Sequence, residues 1–86
     1  MTHQIELTVG VEELLPPDFE ITVICKSIYK DMSSGDYHCE IKGLDDAEWL
    51  TLKTMDTFTT SGIEILIKTI QPAKDGQAGK VTVYCN

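Results

Sequence analysis

Two consecutive prolines, Pro16 and Pro17, restrict what the N-terminal part of this chain can form. A helix interior or a central strand rarely contains proline, because its ring fixes φ and removes the backbone donor. The run Leu15-Pro16-Pro17-Asp18 therefore marks a boundary between two elements. Before this boundary, residues 5–9 alternate between apolar and polar side chains, the period of a half-buried strand.

Residues 19–32 follow the boundary and fit two secondary structures. As a helix, the segment has Asp18 as its N-cap, lysines near its C-terminal end, and an apolar stripe at helical spacing. The stripe comprises Ile21, Ile24, Cys25, Ile28, Tyr29 and Met32. As a strand, the segment alternates from Phe19 to Cys25 and carries a β-branched run. The strand does not accommodate Ile24 and Ile28 well, so we favour the helix.

The rest of the chain contains three further strand patterns and one turn. Residues 36–42 and 81–85 alternate in the manner of strands, and at residues 63–67 three isoleucines alternate with Glu64 and Leu66 in a β-branched strand. Asp75 and Gly76, within the turn at residues 74–79, are a typical hairpin signal. A second helix is predicted to begin at Asp45 or Asp46 and to end at Gly62. Trp49 would then be either a core residue of that helix or an exposed anchor for a partner.

This order of elements predicts a fold of the α+β class. The sequence β-α-β-α-β-β places two helices on one face of a four-stranded mixed sheet, which makes a two-layer sandwich. Eighty-six residues are enough for one core, so we expect a single domain over residues 1–86. The alternative is an all-β sandwich of six strands.

The charge balance limits the classes of partner. The chain has fourteen acidic residues, seven lysines and no arginine, for a net charge of −7. Nucleic-acid-binding proteins usually have a basic face, so we expect no direct contact with nucleic acid. No apolar run approaches the roughly 20 residues of a membrane span, and we expect no membrane association. The acidity suits a soluble chain that can be steered to a basic protein partner.

The cysteines indicate a reducing compartment. Cys25, Cys39 and Cys85 are odd in number and form no Cys-x-x-Cys pair, which favours a cytoplasmic protein with free thiols. The spacing of the two histidines from these cysteines suggests no metal site, and we expect no cofactor. His38 is expected to face solvent, where it could form an acid/base pair with a carboxylate beside it, although no nucleophile is assigned there.

Several short motifs resemble those of the TusA/SirA family of small sulfur carriers. The run Leu15-Pro16-Pro17-Asp18 is similar to the family's Cys-Pro-x-Pro motif at the entry of the first helix. Residues 30–36 resemble the end of that helix, and residues 41–46 resemble the step into the second helix. Residues 62–66 and 75–76 resemble the family's third strand and last hairpin. The resemblance implies the α+β fold described above.

The resemblance also implies a sulfur-carrying function, but this chain lacks the sulfur atom that the function requires. In the family, the motif cysteine carries a persulfide, and Leu15 stands in its place here. We therefore expect a protein-binding or regulatory module that retains the family scaffold, and we favour a protein without enzymatic activity. Its partner surface would include Leu15, Pro16, Pro17 and Asp18.

Two other functions remain open at the level of sequence. The chain could be an active sulfur carrier that uses another thiol, and Cys85 is the candidate because it is expected to be exposed near the C-terminus. It could also be an acidic all-β inhibitor or accessory protein that binds a basic partner and has no helix at residues 18–32. In any of these cases, an exposed sheet edge could pair two copies as a homodimer.

Overall fold

A computed structural model describes residues 2–16, 18 and 20–85 of the chain. These residues form eight strands and contain no helix, so no helix of the described part could cross a membrane. The strands are β1 (His3–Thr8), β2 (Glu13–Leu14), β3 (Thr22–Lys30), β4 (Tyr37–Gly43), β5 (Leu50–Lys53), β6 (Thr57–Thr60), β7 (Ile63–Gln71) and β8 (Lys80–Cys85).

The strands form two antiparallel sheets of four strands each. The first sheet has the order β1-β8-β7-β6, and the second has the order β2-β3-β4-β5. The chain passes between the sheets twice, from β1 to β2 and from β5 to β6. The last strand, β8, returns to pair with β1, and Ile5 lies opposite Val83 in that pairing. Apart from the two passages between the sheets, each strand pairs with the strand that follows it in the sequence.

One hydrophobic core lies between the two sheets. Alternate side chains of every long strand point inward, as expected for a sheet that is buried on one face. The fully buried members from the first sheet are Leu7, Ile65, Ile67, Val81, Val83 and Cys85, and those from the second are Val23, Cys25, Cys39 and Ile41, together with Leu15 directly after β2. The predicted strands at residues 5–9, 36–42, 63–67 and 81–85 are confirmed in type and position.

The predicted α+β fold is wrong, and the all-β alternative has the correct class with eight strands in place of six. The first expected helix is β3. A β-bulge between Cys25 and Ser27 shifts the register of this strand against β4. Because a bulge inserts one extra residue, the inward side changes from Val23 and Cys25 to Ile28. The spacing from Cys25 to Ile28 thus imitates a helical stripe.

The second expected helix is also wrong, because the segment forms β5, a turn and β6. Met55 in the turn has a φ of 76°, a left-handed conformation that no helix contains. Its backbone nitrogen donates to the Ile67 carbonyl at 2.7 Å, which holds the turn against β7. Threonines at residues 51, 54, 57, 59 and 60 favour extended backbone, since β-branched side chains suit strands better than helices.

The hairpin signal at Asp75 and Gly76 is confirmed. Their φ values are 53° and 80°, and positive φ at both central positions is the requirement of a type I′ turn. Lys74 and Gln77 close this turn with two backbone hydrogen bonds of 3.1 and 2.9 Å.

Candidate functional site

The residues expected to form the partner surface lie in the connection between β2 and β3. Leu15 is 1% exposed and belongs to the core, and Pro16 is buried as well. The Leu15 backbone nitrogen donates to the Ile21 carbonyl at 2.8 Å, so the chain reverses direction between them. Asp18 is exposed on this connection, whereas Pro17 lies outside the described residues. Of the four expected residues, the structure therefore exposes Asp18 and buries Leu15 and Pro16.

Cys85 is not the exposed thiol expected from its position near the C-terminus. The residue is 1% exposed, because β8 lies between β1 and β7 and its side chain faces the core. The thiol donates to the His3 carbonyl at 3.7 Å. Burial raises the pKa of the Cys85 thiol, so the reactive thiolate is disfavoured.

Cys25 and Cys39 also face the core, Cys39 on the strand predicted at residues 36–42 and Cys25 on β3, which forms in place of the first expected helix. All three thiols are thus buried, and the outer face of the second sheet carries His38 without a cysteine beside it. His38 stacks on Tyr29 with ring centroids 5.7 Å apart. Glu40 accepts a 2.6 Å hydrogen bond from the Ser27 hydroxyl. This face does not assemble an acid, a base and a thiol for covalent catalysis.

Carboxylates are concentrated at one end of the second sheet. The segments around residues 12–22 and 43–49 are adjacent there, because the Leu44 nitrogen donates to the Thr22 carbonyl at 2.8 Å. We call this region the acidic end, and it carries Glu12, Glu13, Asp18, Glu20, Asp45, Asp46 and Glu48, half of the fourteen acidic residues. Residues 10–25 and 43–52 contain no lysine. The acidic end therefore carries most of the excess negative charge.

The loop between β4 and β5 is held in place by its own hydrogen bonds. The Gly43 nitrogen donates to the Asp46 carboxylate at 3.2 Å, and the Asp46 nitrogen donates to the Gly43 carbonyl at 3.0 Å. Lys42 donates its ammonium to the Asp46 carbonyl at 2.9 Å. Asp45 and Glu48 are exposed on the same loop. A loop fixed in this way presents its charges without a large entropic cost on binding.

A short apolar row crosses the outer face within the acidic end. Leu14 pairs with Thr22 across β2 and β3, and Leu44 lies on the other side of Thr22. Both leucines are exposed, Leu14 by 49% and Leu44 by 43%. Leu14, Thr22 and Leu44 are here called the leucine row. Exposed leucines bordered by charged residues are the arrangement of a protein interface, with an apolar centre and a polar rim.

Trp49 is half-buried in the loop between β4 and β5, so the prediction that it belongs to the core of a helix is wrong. The Lys26 and Lys42 ammonium groups lie 4.8 and 5.2 Å from its ring, close enough for cation–π attraction. Lys26 also pairs with Glu40 at 3.7 Å. These contacts place two lysines at the border of the acidic end.

The sequence analysis missed the two leucines of the row. The strand pattern of residues 37–43 contains the signal for Leu44, because continuing its alternation puts Leu44 on the face opposite Cys39 and Ile41. Leu14 precedes buried Leu15 and must point the other way for the same reason. Among the described residues, no group of three or more histidine, cysteine or acidic side chains converges as a metal site.

The fold and this surface define a small all-β sandwich with an acidic, leucine-bearing end. Comparison with protein-family models, with curated proteins and with solved structures found no match to the chain. The motifs that resemble the sulfur carriers lie in strands and connections, where the helices implied by that family are absent from the described residues. The function must therefore be argued from the surface itself.

Proposed function

We propose that this chain is a protein-binding module that docks a basic protein at its acidic end. The observation that carries the proposal is the leucine row, whose two leucines are exposed and lie in the two segments that carry seven of the fourteen acidic residues. A partner with lysines or arginines around an apolar segment would match both features. Opposite charges steer the encounter, and the buried apolar contact lengthens the lifetime of the complex.

The proposal agrees with the cytoplasmic compartment expected from the sequence, since three free cysteines are typical of a reducing environment. The alternative of a sulfur carrier gains no support from the geometry, because Cys85 is buried and Leu15 fills the core where a carrier thiol would need to be exposed. Binding rather than sulfur transfer is the function that the surface favours.

A synthetic amphipathic peptide of lysine and leucine tests the proposal. Trp49 is the only tryptophan and lies at the border of the acidic end, so its fluorescence reports binding directly. We expect saturable binding that weakens steeply as salt rises from low to physiological concentration, because salt screens exposed charges. A peptide of lysine and serine, which lacks the apolar part, should bind more weakly.

Two double variants, each of which lacks two carboxylates, test where on the protein the peptide binds. Asp45→Asn combined with Glu48→Gln removes two exposed carboxylates from the acidic end. Asp36→Asn combined with Asp75→Asn removes two from the hairpin turns elsewhere. We expect the first pair to weaken binding about tenfold, from about 0.5–1 kcal/mol for each charge, and the second to change it little. Equal loss in both pairs would mean that net charge alone attracts the peptide and would refute a defined docking surface.

A further inference from the structure

β1 forms one edge of the first sheet. β8 pairs with one side of β1, and no strand of the described residues pairs with its other side. The Val9 nitrogen donates to the Gly79 carbonyl at 2.9 Å, which continues the register of β1 with β8 by one position. Backbone groups of successive residues face opposite sides of a strand, so the odd-numbered residues of β1 bond to β8. The N–H and C=O groups of Gln4 and Glu6 therefore point away from the sheet.

The other edge strands offer less to a further strand. β2 has two residues and ends two positions before Pro16, and β6 has four residues against the six of β1. In β5, Asp56 occupies the outward groups of Lys53. Its carboxylate accepts from the Lys53 nitrogen at 3.0 Å, and its own nitrogen donates to the Lys53 carbonyl at 3.0 Å. Short strands and capped backbone groups protect a sheet edge from pairing, so β1 is the least protected edge of the described chain.

The β1 edge also carries little of the negative charge of the chain. Glu6 is the only acidic residue before Glu12, and the Lys80 ammonium lies 3.4 Å from its carboxylate. Two copies of a chain with a net charge of −7 repel each other, so their contact costs least where the negative charge is lowest. Ile5 packs against the core from this edge and is only partly buried. A further strand beside β1 would cover it more completely.

We propose that β1 pairs with β1 of a second copy, antiparallel and about a two-fold axis, and so forms a homodimer with one continuous eight-stranded sheet. In the register centred on Ile5, Gln4 lies opposite Glu6 of the partner subunit, and the outward backbone groups of the two residues bond to each other. The axis repeats this pair. The two Ile5 side chains then meet in a non-hydrogen-bonded pair, where side chains are closest. A register centred on Glu6 would set two carboxylates opposite each other, which is unfavourable.

Sedimentation equilibrium of the full chain, with a reductant and without any peptide, tests the homodimer. Pairing of one short strand makes a small interface, so we expect a weak dimer. The average mass should rise from 9.6 kDa toward twice that value between about 10 µM and about 1 mM protein. Higher salt should strengthen the dimer, because it screens the repulsion between two acidic copies. Peptide binding at the acidic end responds to salt in the opposite direction, so either proposal can fail without the other.

Two proline variants identify the edge that pairs. Gln4→Pro and Thr59→Pro each remove one outward N–H from an edge strand without a change of charge. Thr59 points its N–H away from β7, because the Ile67 nitrogen donates to the Asp56 carbonyl at 2.9 Å and the direction alternates from there. We expect Gln4→Pro to stay at the monomer mass and Thr59→Pro to dimerise like wild type. The reverse result would assign the contact to β6 and refute pairing through β1.

Three charge variants test the register and decide it even if Gln4→Pro does not fold. Gln4→Lys sets an ammonium group opposite Glu6 of the partner subunit in both symmetric pairs and should lower the dimer Kd roughly fivefold, whereas Gln4→Glu should raise it roughly fivefold. Gln77→Lys makes the same change of charge in the hairpin turn at residues 74–79 and should change the Kd less than about twofold. Equal effects of Gln4→Lys and Gln77→Lys, or wild-type protein that stays monomeric at about 1 mM, would overturn the proposal.

Discussion

Leu14 and Leu15 are adjacent in sequence and opposite in environment, so their alanine variants give a strong test of the structure. Leu15 is 1% exposed and Leu14 is 49% exposed. Leu15→Ala removes about three buried carbon groups worth about 0.8 kcal/mol each and leaves a cavity. We expect the free energy of unfolding to fall by about 3 kcal/mol. Leu14→Ala should change it by less than about 0.5 kcal/mol.

The loss expected for Leu15→Ala is large relative to the total stability. At about 0.05–0.15 kcal/mol per residue, a chain of this length has roughly 4–13 kcal/mol in all. The corresponding fall in Tm is roughly 12–24 °C for a domain of this size. Urea unfolding followed by circular dichroism measures both variants, and an unchanged m-value would show that the unfolded states are comparable.

For binding of the lysine–leucine peptide, the order of the two variants should be reversed. Leu14→Ala removes an exposed side chain from the leucine row, so it should weaken the lysine–leucine peptide without loss of stability. Leu15→Ala, measured at a temperature where it is folded, should bind like wild type. Equal destabilisation by the two variants, or a loss below about 1 kcal/mol for Leu15→Ala, would refute the assignment of Leu15 to the core.

Three further substitutions test contacts outside the leucine row. Gly43→Ala should lower the free energy of unfolding by about 1–3 kcal/mol, because a Cβ there would overlap the Thr60 hydroxyl. Thr60→Ala should recover part of that loss in a double-mutant cycle, and additive losses would contradict the contact. Hydrogen bonds from Ser33 lower the pKa of Asp31 below its ordinary value of 3.8, so any stability from this carboxylate is present above that value and is lost as the pH falls through the lower folded value. Ser33→Ala should raise this pKa toward the ordinary value in an NMR titration, and an unchanged value would show that Ser33 is not its cause.

The strands at residues 36–42 and 81–85 were predictable because their apolar residues alternate, and the strand at residues 63–67 because it is rich in β-branched isoleucine. The turn at Asp75 and Gly76 was predictable because the required positive φ restricts the choice of residue. β3 was mistaken for a helix because a bulge after Cys25 changes the inward side of the strand. A bulge is decided by pairing with β4, which the local pattern does not contain.

The proposed docking surface likewise depends in part on the sequence alone and in part on the tertiary structure. The acidity of residues 12–20 and 45–48 and the absence of arginine are properties of the sequence alone, and they already favour a basic partner. The packing of β3 between β2 and β4 brings these two acidic segments together and exposes Leu14 and Leu44 between them. Strand pairing joins residues about 30 positions apart, so no local pattern of charge or period could place them on one surface.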